Sequence, residues 1–420
     1  MLLQPFNPRN LAKVLPTKPN SSNFELWPEY LELKKRLDIW KSAGDPFFKT
    51  HIGITTDITC IEEKMLISYG SSNYLGLSGQ PYISDYAKQA IDQYGTSVSA
   101  SRVISGEKPI HRELEREIAD FIGVEDCIIF VCGHATNVTT IGHLLGERDL
   151  ILYDALSHNS IQEGCKLSGA RLLPFIHNDY QHLEQLLQNH RHRYERVLIV
   201  CEGVYSADGD VALLPQFIEI KHRYDCLLMV DEAHSIGVLG ASGRGISEYY
   251  GITPTQVDLW MGTLSKSFAS SGGYIAGSAA LVTYLKYTAP GFVFSVGPSP
   301  ANTAASLAAI RLLRAEPERV KVLQERSTLL RQLLENSGFN VGLGQDSSII
   351  PIIVGESEKA IRLSQAMFEA GINVAPMIYP SVGHNMARLR FFVTYLHTEE
   401  QLRLTVTTLI QQWHRLGFSS

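Results

Sequence analysis

The chain has 420 residues, 45% hydrophobic and 19% charged, enough for a large buried core and more than one ordinary domain holds. Its formal charge is −6 and its 37 lysines and arginines form no basic stripe, which excludes the electrostatic footprint of a nucleic-acid binder. No apolar run reaches the roughly 18 to 20 residues of a membrane helix, and Met1 to Pro8 lack a secretory pattern, so a soluble cytoplasmic protein is expected.

Residues 1 to about 65 read as an irregular arm and a helix. Apolar residues recur at helical spacing from Glu29 to Leu37, and Pro46 limits the extension. From 66 to 308, short apolar strands alternate with amphipathic stretches. Strands are expected at Cys127 to Val131, Leu150 to Tyr153, Val197 to Cys201, Leu227 to Val230 and Leu259 to Gly262. Helical patterns lie between several of them, as at His111 to Ile122 and Pro215 to Tyr224. This alternation predicts an α/β domain whose sheet is mainly parallel and covered by helices on both faces. Ligands of such sheets bind beyond the carboxyl ends of the strands. From 309 to 420 the rhythm changes to a smaller α+β domain. It has a long helix (Ala309 to Ser337), a strand (Ser348 to Val354), a helix near 358 to 370 and a strand (Ala387 to Thr394). The six cysteines have no CxxC spacing, which reads as reduced thiols, with neither a disulfide framework nor a metal site.

Four clusters fall at predicted strand ends. In Thr263-Leu264-Ser265-Lys266-Ser267 a lysine sits among hydroxyls, where an amine can be desolvated and a phosphate held. Taken alone, Lys266 also reads as an exposed loop lysine. Asp231-Glu232-Ala233-His234 places a carboxylate at a buried strand end, which is costly without a cation. A protonated pyridine nitrogen is such a cation, and His234 can then reach the phenolic oxygen of the same ring. The competing reading, a nucleotide-hydrolysis loop, needs a GxxxxGK[ST] that this chain lacks. Cys132-Gly133-His134-Ala135-Thr136-Asn137 is a strand-to-helix turn whose N–H groups suit an anion. His158 can stack on an aromatic ring, while Glu202 and Ser206 can bind polar edges; all three read equally well as satisfied buried polar groups.

With these clusters the chain resembles the α-oxoamine synthases, fold-type-I pyridoxal-phosphate enzymes, from about residue 66 to the C-terminus. The likeness runs through Ser71 to Leu77, Tyr94-Gly95-Thr96, Ser105-Gly106, His111 to Glu115 and Leu156-Ser157-His158. It continues through Glu202 to Asp210, Asp231 to His234, Gly243-Arg244-Gly245, Thr263 to Lys266 and Ala387 to Arg390. The resemblance implies pyridoxal 5′-phosphate held as a Schiff base on Lys266, with Asp231 on the ring nitrogen and His158 stacked on the ring. It places His234 and Ser206 near the phenolic oxygen and the substrate, and the phosphate in the turn of Gly133 and His134 completed by Thr263. It assigns the amino-acid carboxylate to Asn73 and Arg390. Ser295, within Phe294-Ser295-Val296, is expected to reach the phosphate of a neighbouring subunit, which makes the active site shared across a homodimer.

The implied reaction joins an α-amino acid to an acyl thioester of CoA or acyl carrier protein, usually with decarboxylation, to give an α-aminoketone. An aminotransferase or lyase on the same fold is the alternative. Two departures stand out. His134 replaces the aromatic or apolar residue usual after the glycine, and Tyr94 to Arg102 lacks the glycine density common in the family. The second resembles synthase modules of secondary-metabolite pathways. A small amino acid such as glycine, alanine or serine is the expected substrate.

Overall fold

The computed structural model describes residues 22–418; Met1 to Pro8, read above for a leader, lie outside the described residues. Seven strands form the principal sheet. They are β1 (Asp126–Phe130), β2 (Leu150–Asp154), β3 (Arg171–Phe175), β4 (Val197–Glu202), β5 (Leu227–Asp231), β6 (Leu259–Thr263) and β7 (Gly273–Gly277). Their order across the sheet is β1-β7-β6-β5-β4-β2-β3.

Side chains alternate across each strand and so build two cores. Ile128, Phe130, Leu198 and Val200 face a core with Ile141, Ile161 and Val282, from helices Gly133–Leu144, Asn159–Ser168 and Ala279–Thr288. Cys127, Ile129, Val197 and Ile199 face the other core, with Leu114, Phe217 and Leu307 from helices Pro109–Ile122, Leu214–Tyr224 and Pro300–Ala315. The expected helix-covered, mainly parallel sheet is therefore present.

Two strands went unread in the sequence. β3 contains Pro174, which donates no backbone hydrogen bond and is accommodated because β3 is the edge. β7 runs antiparallel to both neighbours, β1 and β6. Because it separates them, β1 and β6 point the same way, and the C-terminal ends of β1, β2, β4, β5 and β6 share one edge.

The remaining differences have local causes. A hairpin of Ile58–Ile61 and Lys64–Ser68 stands where irregular chain was expected, turning through Glu62 and Glu63 at φ 52° and 61°. Such a turn is ordinarily signalled by Asn-Gly, so a Glu-Glu pair conceals it. The long helix expected over 309–337 is two helices, Pro300–Ala315 and Glu318–Asn336. Pro317 forces the break, since its ring excludes the preceding residue from helical geometry; Glu316 sits at φ −127°, ψ 61°. A three-stranded antiparallel sheet of Ile349–Gly355, Ala387–Phe392 and Ala375–Met377 packs with helix Ser357–Glu369. Among the described residues, no helix is long and apolar enough to cross a membrane.

Candidate active site

A cavity of about 260 Å³ opens along the shared strand edge. The turn after β1 contributes Gly133, His134 and Asn137, the loop after β2 contributes His158 and Ser160, and β4 ends in Glu202. Asp231 and His234 come from the end of β5, and Thr263, Ser265 and Lys266 from the end of β6. Segments far apart in sequence converge because parallel strands bring their C-terminal ends to one side.

Asp231 is buried, and its carboxylate accepts from Asn137 Nδ2 at 2.8 Å and from the Ala233 N–H at 2.9 Å. Both donors are neutral. A buried carboxylate held this way retains its demand for a cation, which the protonated ring nitrogen of pyridoxal phosphate satisfies. Asn137 Nδ2 also donates to Ser160 Oγ at 2.9 Å, while Asn137 Oδ1 is buried without a partner. The sequence motif gives Asn137 no role. Its asparagine inside a helix beginning carried no signal of a partner 94 residues away.

The opposite end of the cavity is a turn of minimal bulk. Helix Gly133–Leu144 begins there, capped by Cys132 Sγ, which accepts from the Ala135 N–H at 3.4 Å. A side chain on Gly133 would meet Thr263 Oγ1 at 3.0 Å, and one on Gly273 would meet Thr136 Oγ1 at 2.4 Å. Thr263 Oγ1 and Ser265 Oγ lie 2.8 Å apart beside the turn. Free N–H groups of a first helical turn flanked by hydroxyls suit a phosphate. The residues present therefore fit the cofactor at both ends.

Charge is distributed unevenly in the cavity. Burial lowers the Lys266 pKa, and Arg390 lowers it further, against the attraction of Asp231 and Glu202. Burial also lowers the pKa values of His158 and, more strongly, of His234. His158 Nδ1 lies 2.7 Å from Ser160 Oγ, and Tyr74 Oη lies 2.8 Å from His234 Nδ1. Burial, together with neighbouring Asp231, pushes Glu202 well above the carboxylate range; its Oε1 accepts from the His158 N–H at 2.5 Å.

Four expected site residues lie outside the cavity wall. Arg390 is close enough to bear on the charges of Lys266, His158 and His234. It donates to the Ser206 carbonyl at 2.9 Å and stacks 4.4 Å from the Phe392 ring, with Nε buried and unpartnered. Ser206 thus meets the site through its carbonyl. The side chain of Asn73 is committed elsewhere: Oδ1 accepts from the Leu77 and Ser78 N–H groups at 2.9 and 3.2 Å, and Nδ2 donates to the Thr55 carbonyl at 3.4 Å. Ser295 lines a separate small cleft with Arg102, beside Phe294, which is 86% exposed.

Comparisons with known proteins agree with this arrangement. The family model of aminotransferase class I and II matches residues 64–409. The chain is 36% identical over 357 residues to 8-amino-7-oxononanoate synthase of Coprothermobacter proteolyticus, covering 85% of this chain and 90% of that protein. It is 36% identical over 360 residues to serine palmitoyltransferase of Sphingobacterium spiritivorum, covering 86% and 90%. Among solved structures, serine palmitoyltransferase from S. paucimobilis with a bound PLP–myriocin aldimine superposes with a TM-score of 0.88. The identity there is 28%, and 92% of this chain and 97% of that chain are covered.

Proposed function

The chain belongs to the α-oxoamine synthases of the class I and II aminotransferase family, and from that premise we propose the roles of its residues. It is a pyridoxal-phosphate-dependent transferase of fold type I. It condenses an α-amino acid with an acyl thioester, carried by CoA or acyl carrier protein, to give an α-aminoketone.

When bound, pyridoxal phosphate supplies an electron sink for the pair left on the α-carbon once its proton is removed. In our reading Lys266 anchors the cofactor and then removes that proton. A lowered pKa favours its neutral amine, the form that acts as a base. Asp231, oriented by Asn137 and the Ala233 N–H, keeps the ring nitrogen protonated. His158 would stack on the ring, and His234, neutral and bonded to Tyr74, would serve its phenolic oxygen together with Ser206. The turn of Gly133 and His134, with Thr263, takes the phosphate. Arg390 binds the amino-acid carboxylate, Asn73 acts indirectly by holding the turn that carries Tyr74, and Glu202 faces the substrate as a neutral acid.

The same proposal divides the chain into an arm (1–65), a cofactor-binding domain (66–308) and a small domain (309–420). It also pairs two copies in the cytoplasm as a homodimer, with Ser295 of each turned to the other's phosphate.

The observation that carries the reading is Asp231, a buried carboxylate with only neutral hydrogen-bond donors in one cavity with Lys266. The test is a screen of the cofactor-loaded enzyme with glycine, alanine and serine, with and without acyl-CoA and acyl carrier thioesters. Thiol release together with an aminoketone product is expected. Keto-acid formation without thioester consumption would replace the reading with transamination.

A further inference from the structure

Behind the cavity wall lies a charged cluster that none of the roles above uses. His177 follows the edge strand β3. Its Nδ1 lies 2.9 Å from Asp154 Oδ1 and its Nε2 3.0 Å from Asp210 Oδ2. A neutral imidazole has one N–H and one lone pair, so it would turn that lone pair on a carboxylate. The ring between two carboxylates is therefore an imidazolium. Burial alone would lower its pKa, but the two carboxylates outweigh burial and push it up to about 10. The groups facing it are Asp154 at the end of β2, Asp210 beyond β4, and the uncharged ring of Tyr205, edge-on at 4.5 Å.

Each carboxylate governs a loop. Asp154 accepts from the Leu156 N–H at 2.8 Å, the Asn178 N–H at 2.8 Å and Tyr205 Oη at 2.8 Å. It thereby shapes the Leu156-Ser157-His158 turn. Asp210 Oδ2 also accepts from Asn178 Nδ2 at 3.3 Å, and the Asp210 carbonyl accepts from the Tyr205 N–H at 3.0 Å. On the cavity side the same two loops meet again, where the His158 N–H donates to Glu202.

We propose that His177 is a positioning residue for the condensation. Its imidazolium ties the loops after β2 and β4 together, and so sets His158 and Glu202 in register over the reacting centre. The proposal rests on the functional reading above. The charge matters beyond filling space, because only a doubly protonated ring satisfies both carboxylates at once.

The experiment uses the holoenzyme and its Asp210→Asn variant, with kcat followed from about pH 6 to about pH 9. With one carboxylate removed, the His177 pKa returns toward its ordinary value of about 6.5. The ratio of variant to wild-type kcat is then near one at the acid end and falls tenfold or more toward the alkaline end. A His177→Gln variant, which cannot titrate, loses about 10- to 100-fold at every pH. In both variants kcat carries the loss while KM for the amino acid holds, because Arg390 stands on Ala387–Phe392, a strand of the separate three-stranded sheet. A ratio independent of pH for Asp210→Asn overturns the proposal. Should that variant yield no soluble holoenzyme, nitrogen NMR of labelled histidine in the wild type decides. Two protons on the His177 ring at about pH 8 support the proposal, and a neutral ring overturns it. If the wild type condenses no amino acid with any acyl thioester, the functional reading fails, and that failure is separate from the NMR result.

Discussion

Asn137, in the helix that follows β1, and Asp231, at the end of β5, are joined by a 2.8 Å hydrogen bond in which the amide donates to the carboxylate. The bond orients the Asp231 carboxylate, and its other hydrogen-bond donor, the Ala233 N–H, is neutral as well. Replacing Asp231 with Asn removes the carboxylate while keeping the shape. The expected outcome is a cofactor that still binds but a kcat lower by at least about 100-fold, roughly 2.7 kcal/mol of barrier. Steady-state kinetics beside cofactor absorbance checks it; a loss under about tenfold would place Asp231 away from the chemistry.

Lys266→Ala removes both the proposed covalent anchor and the proposed base. Turnover should fall by about 1,000-fold or more, since a positioned base alone contributes roughly 100- to 10,000-fold. The imine absorbance of the holoenzyme should disappear as well. Wild-type turnover in that variant sinks the assignment.

Arg390→Ala is expected to raise KM for the amino acid about tenfold to 100-fold and to leave KM for the thioester within about twofold. Charge-assisted hydrogen bonds to a carboxylate have roughly that strength. If the thioester constant moves instead, the carboxylate site lies elsewhere. Arg388, buried and ion-paired with Asp208, then becomes the residue to examine.

A fourth prediction concerns stability and pH. Burial raises the pKa of Glu232 from 4.5 to about 8, although Ser235 Oγ and the Ile246 N–H, the latter at 3.1 Å, donate to it. The folded protein therefore keeps a proton that the unfolded chain has lost. The contribution of Glu232 to stability is fully present below pH 4.5 and declines as pH rises to about 8. Glu232→Gln abolishes that slope. The melting temperature of the variant, compared with wild type at about pH 5 and about pH 8.5, should improve at the higher pH. An unchanged difference would show that Glu232 is ionised throughout.

The proposed homodimer gives a fifth test. Phe294 and Val296 are 86% and 49% exposed around Ser295 in one chain, an apolar face of the kind that association covers. Lys266→Ala and Ser295→Trp chains, each impaired alone, should recover activity when unfolded together and refolded. In each heterodimer one of the two sites carries both intact groups. Heterodimers without recovery, or a fully active monomer in sedimentation, reject the shared site.

Much of this was legible before any coordinates. Apolar runs ending at Asp231 and Thr263 identified buried strands, and polar residues just beyond them marked the edge where Lys266 sits. What stayed hidden depends on partners. Asn137 looks like any polar residue in a helix until the fold brings Asp231 beside it. His177 reads as an ordinary loop histidine, because neither Asp154 nor Asp210 is its neighbour in the chain. β3 was masked by Pro174, and the Ile58–Ser68 hairpin by a turn of two glutamates. Both exceptions are tolerated by local circumstance, which periodicity does not record.

The return of β7 between β1 and β6 constrains how this protein can be redesigned. The chain from Lys266 to Gly273 is closed by hydrogen bonds from Ala269 N to Lys266 O, Ser270 N to Leu264 O and Leu264 N to Gly272 O, at 2.9, 2.9 and 3.0 Å. Gly273 then lies directly against Gly133 and Thr136. A residue inserted at Gly272 or Gly273 would press on Phe130, Gly133 and Thr136, and so would shift the lysine relative to the phosphate turn. Loop grafting or random insertion should therefore fail at these two glycines even where the new residues are small. Efforts to change substrate range belong on the Arg390 side of the cavity, where the chain is not clamped against the cofactor's own footprint.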